Sequence, residues 1–156
     1  MSQKNNHSPA LVPADIDWQE DGTPHSSQFD DVYFSKLNGL EESRHVFLEG
    51  NHLAQRWRDL ANGAHFIIIE TGFGTGLNFL ACCELWQNNA PAGAFLHYVS
   101  IEKYPLAESQ IRLAAESWPQ LQALNNLLAD HYPPLQTGIH SLALNEQLSL
   151  TLAFGD

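Results

Sequence analysis

The stretch AHFIIIETGFGTGLN, residues 64–78, decides the fold. Its first half is a continuous run of β-branched and aromatic residues, which is typical of a strand covered on both faces in a parallel sheet. A glycine-rich turn follows, and from Leu77 to about Asn88 the chain is apolar almost all round, which predicts a buried helix. Open α/β sheets bind ligands where such a strand ends, so we expect a site at this turn.

The rest of the chain continues the alternation of strands and helices. A second strand ends at Glu102, helices follow it, and two alternating apolar runs predict a hairpin around Asn145 and Glu146. This order predicts an α/β fold with right-handed crossovers, a doubly wound Rossmann-like sheet of which only the first half is present. The predicted strands span residues 64–70, 95–101, 139–144 and 148–154.

The spacing of the glycines separates two classes of ligand. Gly72, Gly74 and Gly76 permit positive φ and a close approach of a ligand to the backbone. The dinucleotide fingerprint G-x-G-x-x-G requires glycine where this chain has Leu77. The pattern here is E-x-G-x-G-x-G, with Glu70 as the acidic residue, and it has the motif shape of S-adenosylmethionine-dependent methyltransferases. A sulfonium cofactor with an amino-acid tail carries no phosphate and tolerates a nearby carboxylate.

Two further carboxylates follow predicted strands at the same edge. Glu102 is placed to accept hydrogen bonds from ribose hydroxyls, and Asp156, after the third core strand, to accept one from an adenine amino group. Tyr33, Phe34 and Phe73 are candidates to line the pocket, although aromatic clusters such as the first two usually belong to the core. Together these residues predict a nucleoside site.

Composition narrows the class of protein. The 156 residues include seven Lys and Arg against eighteen Asp and Glu, a net charge of −11, and 44% are hydrophobic. The hydrophobic share predicts a packed core. The negative net charge argues against a nucleic-acid clamp and against docking on an anionic membrane. No apolar run is long enough to span a bilayer. Adjacent Cys82 and Cys83 exclude a disulfide scaffold and favour core positions in a protein of the cytoplasm, and no histidine pair has metal-ligand spacing.

Three regions are predicted along the chain. Residues 1–14 are polar and lack an apolar period, which predicts a disordered tail. Residues 15–63 form an N-terminal extension of short strands and one short helix. Residues 64–156 form the cofactor-binding half of a methyltransferase domain.

Several segments resemble one family closely. The chain from about Asp17 onward is similar to the N-terminal domain of a bifunctional bacterial tRNA-modifying enzyme, the tRNA 5-methylaminomethyl-2-thiouridine biosynthesis protein. The segments that carry the resemblance are QFDDVYFS (28–35), NGLEE (38–42), VFLEGN (46–51), ETGFGTGLNFL (70–80), IEKYPL (101–106) and FGD (154–156).

The resemblance implies a methyl transfer from S-adenosylmethionine to the amine of 5-aminomethyl-2-thiouridine in tRNA. It implies that Glu70, the glycine loop, Asn78, Glu102 and Asp156 surround the cofactor. It also implies that a second domain of the full-length family enzyme, absent here, uses FAD to remove a carboxymethyl group beforehand.

Other features depart from the family. The Asp-Gly-Phe-Ala-Pro motif, whose Asp is thought to handle the amine proton, is missing, and so are the flavin domain and the basic surface expected for tRNA. We therefore expect a truncated protein with no catalytic residue of its own. We expect that this chain, without the missing parts, has no activity on tRNA. We also expect self-association through the exposed edge of the first strand of the sheet.

Two other functions remain open on the residues alone. One is an oxidoreductase that uses NAD or FAD with a divergent fingerprint, against which Leu77 argues. The other is a non-catalytic module that keeps the fold to bind a partner, which the missing catalytic motif supports.

Overall fold

The structure is a computed structural model that describes residues 11–20, 22–27, 31–33 and 38–155. Its N-terminal part holds a small antiparallel sheet and three short helical segments, the second of them a π-helix. The strands are β1 (Ile16–Trp18), β2 (Pro24–Ser26) and β3 (Asp31–Val32), and the helices are α1 (Gly39–Glu42), the π-helix (Ser43–Glu49) and α2 (Leu53–Arg58).

A mixed α/β unit follows. Its strands are β4 (His65–Thr71), β5 (Phe95–Glu102), β6 (Gly138–Ala143) and β7 (Leu148–Phe154), and its helices are α3 (Leu77–Asn89), α4 (Glu108–Ala114) and α5 (Gln122–His131). The sheet order is β4-β5-β7-β6. β5 runs parallel to both β4 and β7, whereas β6 pairs antiparallel with β7, so the predicted hairpin is confirmed. The carboxyl ends of three parallel strands therefore share one edge.

The core lies between one face of this sheet and the helices. α3 contacts the π-helix, α2 and α5, and its buried residues lie on every side, as an apolar helix predicts. Cys82 and Cys83 are free thiols inside this core, where burial raises the pKa of both. Trp57 packs edge-on against Trp86 at 5.1 Å between ring centroids, which joins the N-terminal part to α3.

The opposite face of the sheet corrects one expectation. β4 was expected to be covered on both faces, but its side chains alternate between buried and exposed, and Ile67 and Ile69 are 61% and 72% exposed. Ile101 and Ile139 share that face by register and are exposed too. In a strand with one uncovered face, buried apolar residues normally alternate with exposed polar ones. The expectation was wrong because the central residues on both faces of β4 are apolar, so its sequence shows no such alternation. In the described ranges, β4 also has a neighbouring strand on one side only.

The N-terminal boundary contains some ordered contacts. Leu11 and Ala14 pack against the core, and the Ala14 N–H donates to the carbonyl of Pro105 at 3.2 Å. Residues 1–10 lie outside the described residues, and the predicted domain boundaries stay predictions. None of the helices in the described ranges is both long and apolar enough to cross a membrane.

The uncovered edge strand generates a prediction about association. An edge strand with free backbone groups and large apolar side chains favours pairing with a second copy. We expect the chain to associate increasingly with concentration in sedimentation velocity, and Ile69→Lys to shift it toward monomer with its circular dichroism unchanged. Val12→Lys is the matched control, since Val12 is also exposed and apolar but lies off the sheet. A wild-type chain that stays monomeric at all concentrations would contradict this expectation.

Candidate cofactor-binding site

The glycine loop connects β4 to α3 at the shared edge of the parallel strands. Gly72, Gly74 and Gly76 have φ of 85°, 53° and 78°, all in the left-handed region that side-chain-bearing residues avoid. The Gly76 N–H donates to the Phe73 carbonyl at 2.9 Å, which closes the turn just before α3 begins at Leu77. The backbone conformation therefore favours glycine at these three positions independently of any ligand.

Glu102 at the end of β5 ties this loop to the next strand. Its Oε2 accepts the N–H of Gly74 at 2.9 Å, and its Oε1 accepts the N–H of Tyr104 at 2.8 Å. The side chain is buried but lines the cavity described below. Each carboxylate oxygen accepts two hydrogen bonds, so both keep capacity for a donor on a ligand. The predicted neighbourhood of Gly74 and Glu102 is thus present in the structure.

Glu70 occupies a different place from Glu102. It is buried, its Oε1 accepts from Asn78 Nδ2 and its Oε2 from Ser100 Oγ, both at 3.0 Å, and it is absent from the cavity wall. Burial raises the pKa of the Glu70 carboxyl, and the bonds from Asn78 and Ser100 lower it in part. In this structure Glu70 holds Asn78, and Asn78 is the one of the two that faces the cavity.

The same chain of hydrogen bonds reaches the N-terminal part. Because an ionised Glu70 only accepts, the amide nitrogen of Asn78 points toward it and Asn78 Oδ1 points away. That oxygen accepts from Ser43 Oγ at 2.6 Å, at the start of the π-helix. The π-helix is thereby fixed against the first turn of α3.

A cavity of about 760 Å³ lies between the glycine loop and the N-terminal segments. Tyr33 covers part of the loop, since a Cβ built on Gly74 would lie 3.4 Å from Tyr33 Cδ1. Burial, and after it the negative charge of Glu102, raise the pKa of the Tyr33 hydroxyl. The lining residues are Ser26, Val32, Tyr33, Gly39, Glu42, Ser43, Val46, Phe47, Gly72, Phe73, Gly74, Thr75, Leu77, Asn78, Glu102 and Tyr104.

The charges on this wall have one sign. Glu42 and Glu102 are its charged side chains, and no Lys, Arg or His of the described ranges lines it. The remaining wall is apolar, aromatic or neutral and polar. Such a cavity favours a ligand that carries positive charge and hydroxyl donors, and it disfavours a phosphate.

Three relatives of this chain carry the same name. It is 51% identical over 152 residues to the tRNA 5-methylaminomethyl-2-thiouridine biosynthesis bifunctional protein MnmC of Marinobacter nauticus, which covers 95% of this chain and 24% of that protein. The MnmC proteins of Pseudomonas fluorescens and Legionella pneumophila are 48% and 46% identical over 149 residues each, with 95% and 94% of this chain covered and 23% and 22% of theirs. Over nearly its whole length, this chain is homologous to MnmC. The resemblance inferred from the motifs is thus confirmed, and the chain spans about a quarter of the length of these MnmC relatives. No family model matches the chain.

A solved structure shows the same fold. The crystal structure of MnmC2 from Aquifex aeolicus superposes with a TM-score of 0.64 at 22% identity, over 93% of this chain and 43% of that one. Together with the parallel β4, β5 and β7, this similarity confirms the predicted Rossmann-like α/β fold.

The structure brings most of the predicted site residues together. Gly72, Phe73, Gly74, Asn78 and Glu102 line one cavity, and Tyr33 does so as well. Gly76 shapes the loop and Glu70 lies behind Asn78. Phe34 and Asp156 lie outside the described residues, although the N–H of Gly155 donates to the carbonyl of Glu102 at 3.0 Å.

Sequence reasoning missed the contribution of residues 39–47. Gly39, Glu42, Ser43, Val46 and Phe47 line the cavity from the N-terminal side. The segments NGLEE and VFLEGN drew attention only through the family resemblance. Nothing in their local pattern indicates a contact with a loop that follows β4, because that contact depends on tertiary packing.

The hydrogen-bond chain around Glu70 generates a prediction about stability. Asn78→Asp places a second carboxyl group against the buried Glu70, and we expect it to lower the free energy of unfolding by roughly 1–3 kcal/mol at neutral pH. Because two carboxyl groups in one buried site repel each other when ionised, we expect raised pKa values for them in the folded variant. At pH values above the ordinary carboxyl pKa, the folded variant then binds more protons than its unfolded chain. Stability of the variant relative to wild type should therefore improve as pH falls from 8 toward 5.

Urea unfolding at several pH values measures this effect. Asn126→Asp is the control, because Asn126 lies exposed on α5 and its Oδ1 accepts from Gln122 Nε2, a hydrogen bond that an aspartate keeps, so we expect a change within about 0.5 kcal/mol. An Asn78→Asp loss that does not vary with pH would show that the second carboxyl does not share a buried site with Glu70.

Proposed function

We propose that this chain binds S-adenosylmethionine and forms the cofactor-binding part of a methyltransferase that acts in tRNA wobble-uridine modification. The methyl group would pass to the amine of 5-aminomethyl-2-thiouridine, which gives the product contained in the name of the MnmC relatives. The proposed unit comprises residues 64–156, with residues 15–63 as an extension that supplies one wall of the cavity.

The acidic cavity is the observation that supports this proposal. S-Adenosylmethionine carries a sulfonium and an ammonium against one carboxylate, and this net positive charge suits a wall whose charged groups, among the described residues, are Glu42 and Glu102. The pyrophosphate of NAD or FAD would meet the same two carboxylates, and none of the described residues of the wall is a cation. A volume of about 760 Å³ is also ample for a nucleoside with an amino-acid tail.

Each residue of the site has a proposed part in holding the cofactor. Glu102 accepts hydrogen bonds from the ribose hydroxyls, the glycine loop permits close approach of the backbone, and Phe73 and Tyr33 supply aromatic surface. Asn78, fixed by Glu70, offers polar contacts beside the loop. Asp156, by the family resemblance, completes the set at the adenine.

The chain's contribution to the reaction is binding and orientation. The cofactor, when bound, supplies an electrophilic methyl group for in-line displacement by a neutral amine. Holding the two reactants in line provides most of the acceleration in such a transfer. No described residue is assigned as the group that receives the amine proton, and tRNA is proposed as the substrate of the longer family protein. By the family resemblance, FAD belongs to a separate domain of that protein. The buried free thiols of Cys82 and Cys83 fit a reducing cytoplasm.

Calorimetric titration of the purified chain tests the cofactor assignment. We expect saturable binding of S-adenosylmethionine and none of NAD. Glu102→Ala should weaken the binding at least tenfold, because it removes the acceptor for the ribose hydroxyls and also releases the Gly74 and Tyr104 amides. Glu146→Ala is the control, since Glu146 is an exposed glutamate in the turn between β6 and β7.

The outcomes separate the competing functions. Tight binding of NAD in preference to S-adenosylmethionine would favour an oxidoreductase. A folded chain that binds neither ligand would favour a non-catalytic module.

The glycine loop allows a second test with a closely matched control. Gly72 and Gly63 have φ of 85° and 78°, and a Cβ added at either would meet nothing within 4 Å. Gly72→Ala and Gly63→Ala should therefore each cost about 1 kcal/mol of folding stability through backbone strain alone. Because Gly72 lines the cavity, only Gly72→Ala should also reduce cofactor affinity. Equal affinities in the two variants would argue against a ligand that approaches the loop at Gly72.

A further inference from the structure

Glu42 is a carboxylate of the cavity wall with no role in the hydrogen-bond chains described above. We infer that Glu42 recognises the α-ammonium group of the amino-acid tail of the cofactor and so selects for ligands that carry this tail. The inference rests on the proposed function and assigns a specificity residue to the same site.

Glu42 differs from the neighbouring Glu41 in that it forms no ion pair with a described residue. Glu41 forms an ion pair with Arg44 at 2.8 Å, and Arg44 forms a second one with Glu84, also at 2.8 Å. No ion pair or side-chain hydrogen bond within the described ranges involves Glu42, and Glu42 lines the cavity whereas Glu41 does not. The charge of Glu42 is therefore available to a ligand.

The surroundings fix where Glu42 stands relative to the rest of the site. It ends α1, and the next residue, Ser43, is held to Asn78 by the 2.6 Å hydrogen bond. Asn78 lies in the first turn of α3, directly after the glycine loop. Glu42 therefore lies near the side of the cavity that the glycine loop and the first turn of α3 form, while Glu102 lies at the end of β5.

The two carboxylates also differ in what they can accept. Both oxygens of Glu102 already accept a backbone N–H, which suits the remaining lone pairs to neutral hydroxyl donors. Glu42 has all its acceptor positions free of described protein donors and lines the cavity together with Val46 and Phe47. An ammonium group has three donors and a full positive charge, and it is the natural partner of such a carboxylate.

A ligand that spans the cavity would meet both groups. Its ribose would lie at Glu102 and its charged tail at Glu42, which line the same cavity. The N-terminal extension would then bind the amino-acid tail of the cofactor, while the edge of the sheet binds the nucleoside.

Three ligands and one matched pair of variants test the inference. S-Adenosylmethionine carries the sulfonium and the zwitterionic amino-acid tail with its ammonium and carboxylate, S-adenosylhomocysteine carries the same tail without the sulfonium, and methylthioadenosine carries neither. We expect Glu42→Gln to weaken the first two by about tenfold in calorimetry and to leave methylthioadenosine unchanged, as for loss of one charge-assisted hydrogen bond. Glu41→Gln, which removes the same charge one residue away, should leave all three affinities unchanged.

The remaining outcomes overturn the inference in distinguishable ways. A loss for S-adenosylmethionine alone would show that Glu42 senses the sulfonium. Unchanged affinities for all three ligands in Glu42→Gln would show that Glu42 does not contact the cofactor, with the proposed function intact. A wild-type chain that binds none of the three would contradict the proposed function as well. Since Glu42 is exposed, the variant is expected to fold, and thermal unfolding verifies it.

Discussion

The buried carboxylate of Glu70 is the point on which the site depends. It receives Ser100 from β5 and Asn78 from α3, and Asn78 in turn receives Ser43 from the π-helix. Four elements, β4, β5, α3 and the π-helix, are thereby fixed to one another by three hydrogen bonds. A buried carboxylate is costly to leave without partners, so each of these donors is held firmly in place. The arrangement explains why an acidic residue stands before the glycines although it does not face the cavity.

The form of the cavity follows from this anchoring. The glycine loop leaves β4 in a left-handed backbone conformation and is held at Gly74 by Glu102. The π-helix approaches from the other side and brings Val46 and Phe47 to the wall. π-Helical turns are rare and often occur at functional sites. Here the π-helix is part of the wall of the proposed cofactor site, so the N-terminal extension belongs to the site as much as the sheet does.

The sequence predicted well those features that depend on local pattern. The strands, the buried helix after the glycines, the hairpin and the proximity of Gly74 to Glu102 all follow from periodicity and from the geometry of parallel sheets. Two kinds of feature escaped it. The open face of β4 was missed because Ile67, Ile68 and Ile69 are equally apolar, although only Ile68 is buried. Glu42 and Ser43 were missed because their place at the cavity is set by contacts with residues far along the chain, which no local pattern encodes.

The two buried cysteines have a practical consequence. A thiol reacts with electrophiles as its thiolate, and burial in α3 both raises the pKa of Cys82 and Cys83 and denies reagents access to them. They are the only cysteines of the chain. A cysteine introduced at an exposed position would therefore be the single site of maleimide labelling in the native protein. A fluorophore could be attached in this way at a chosen exposed position without prior removal of the natural thiols.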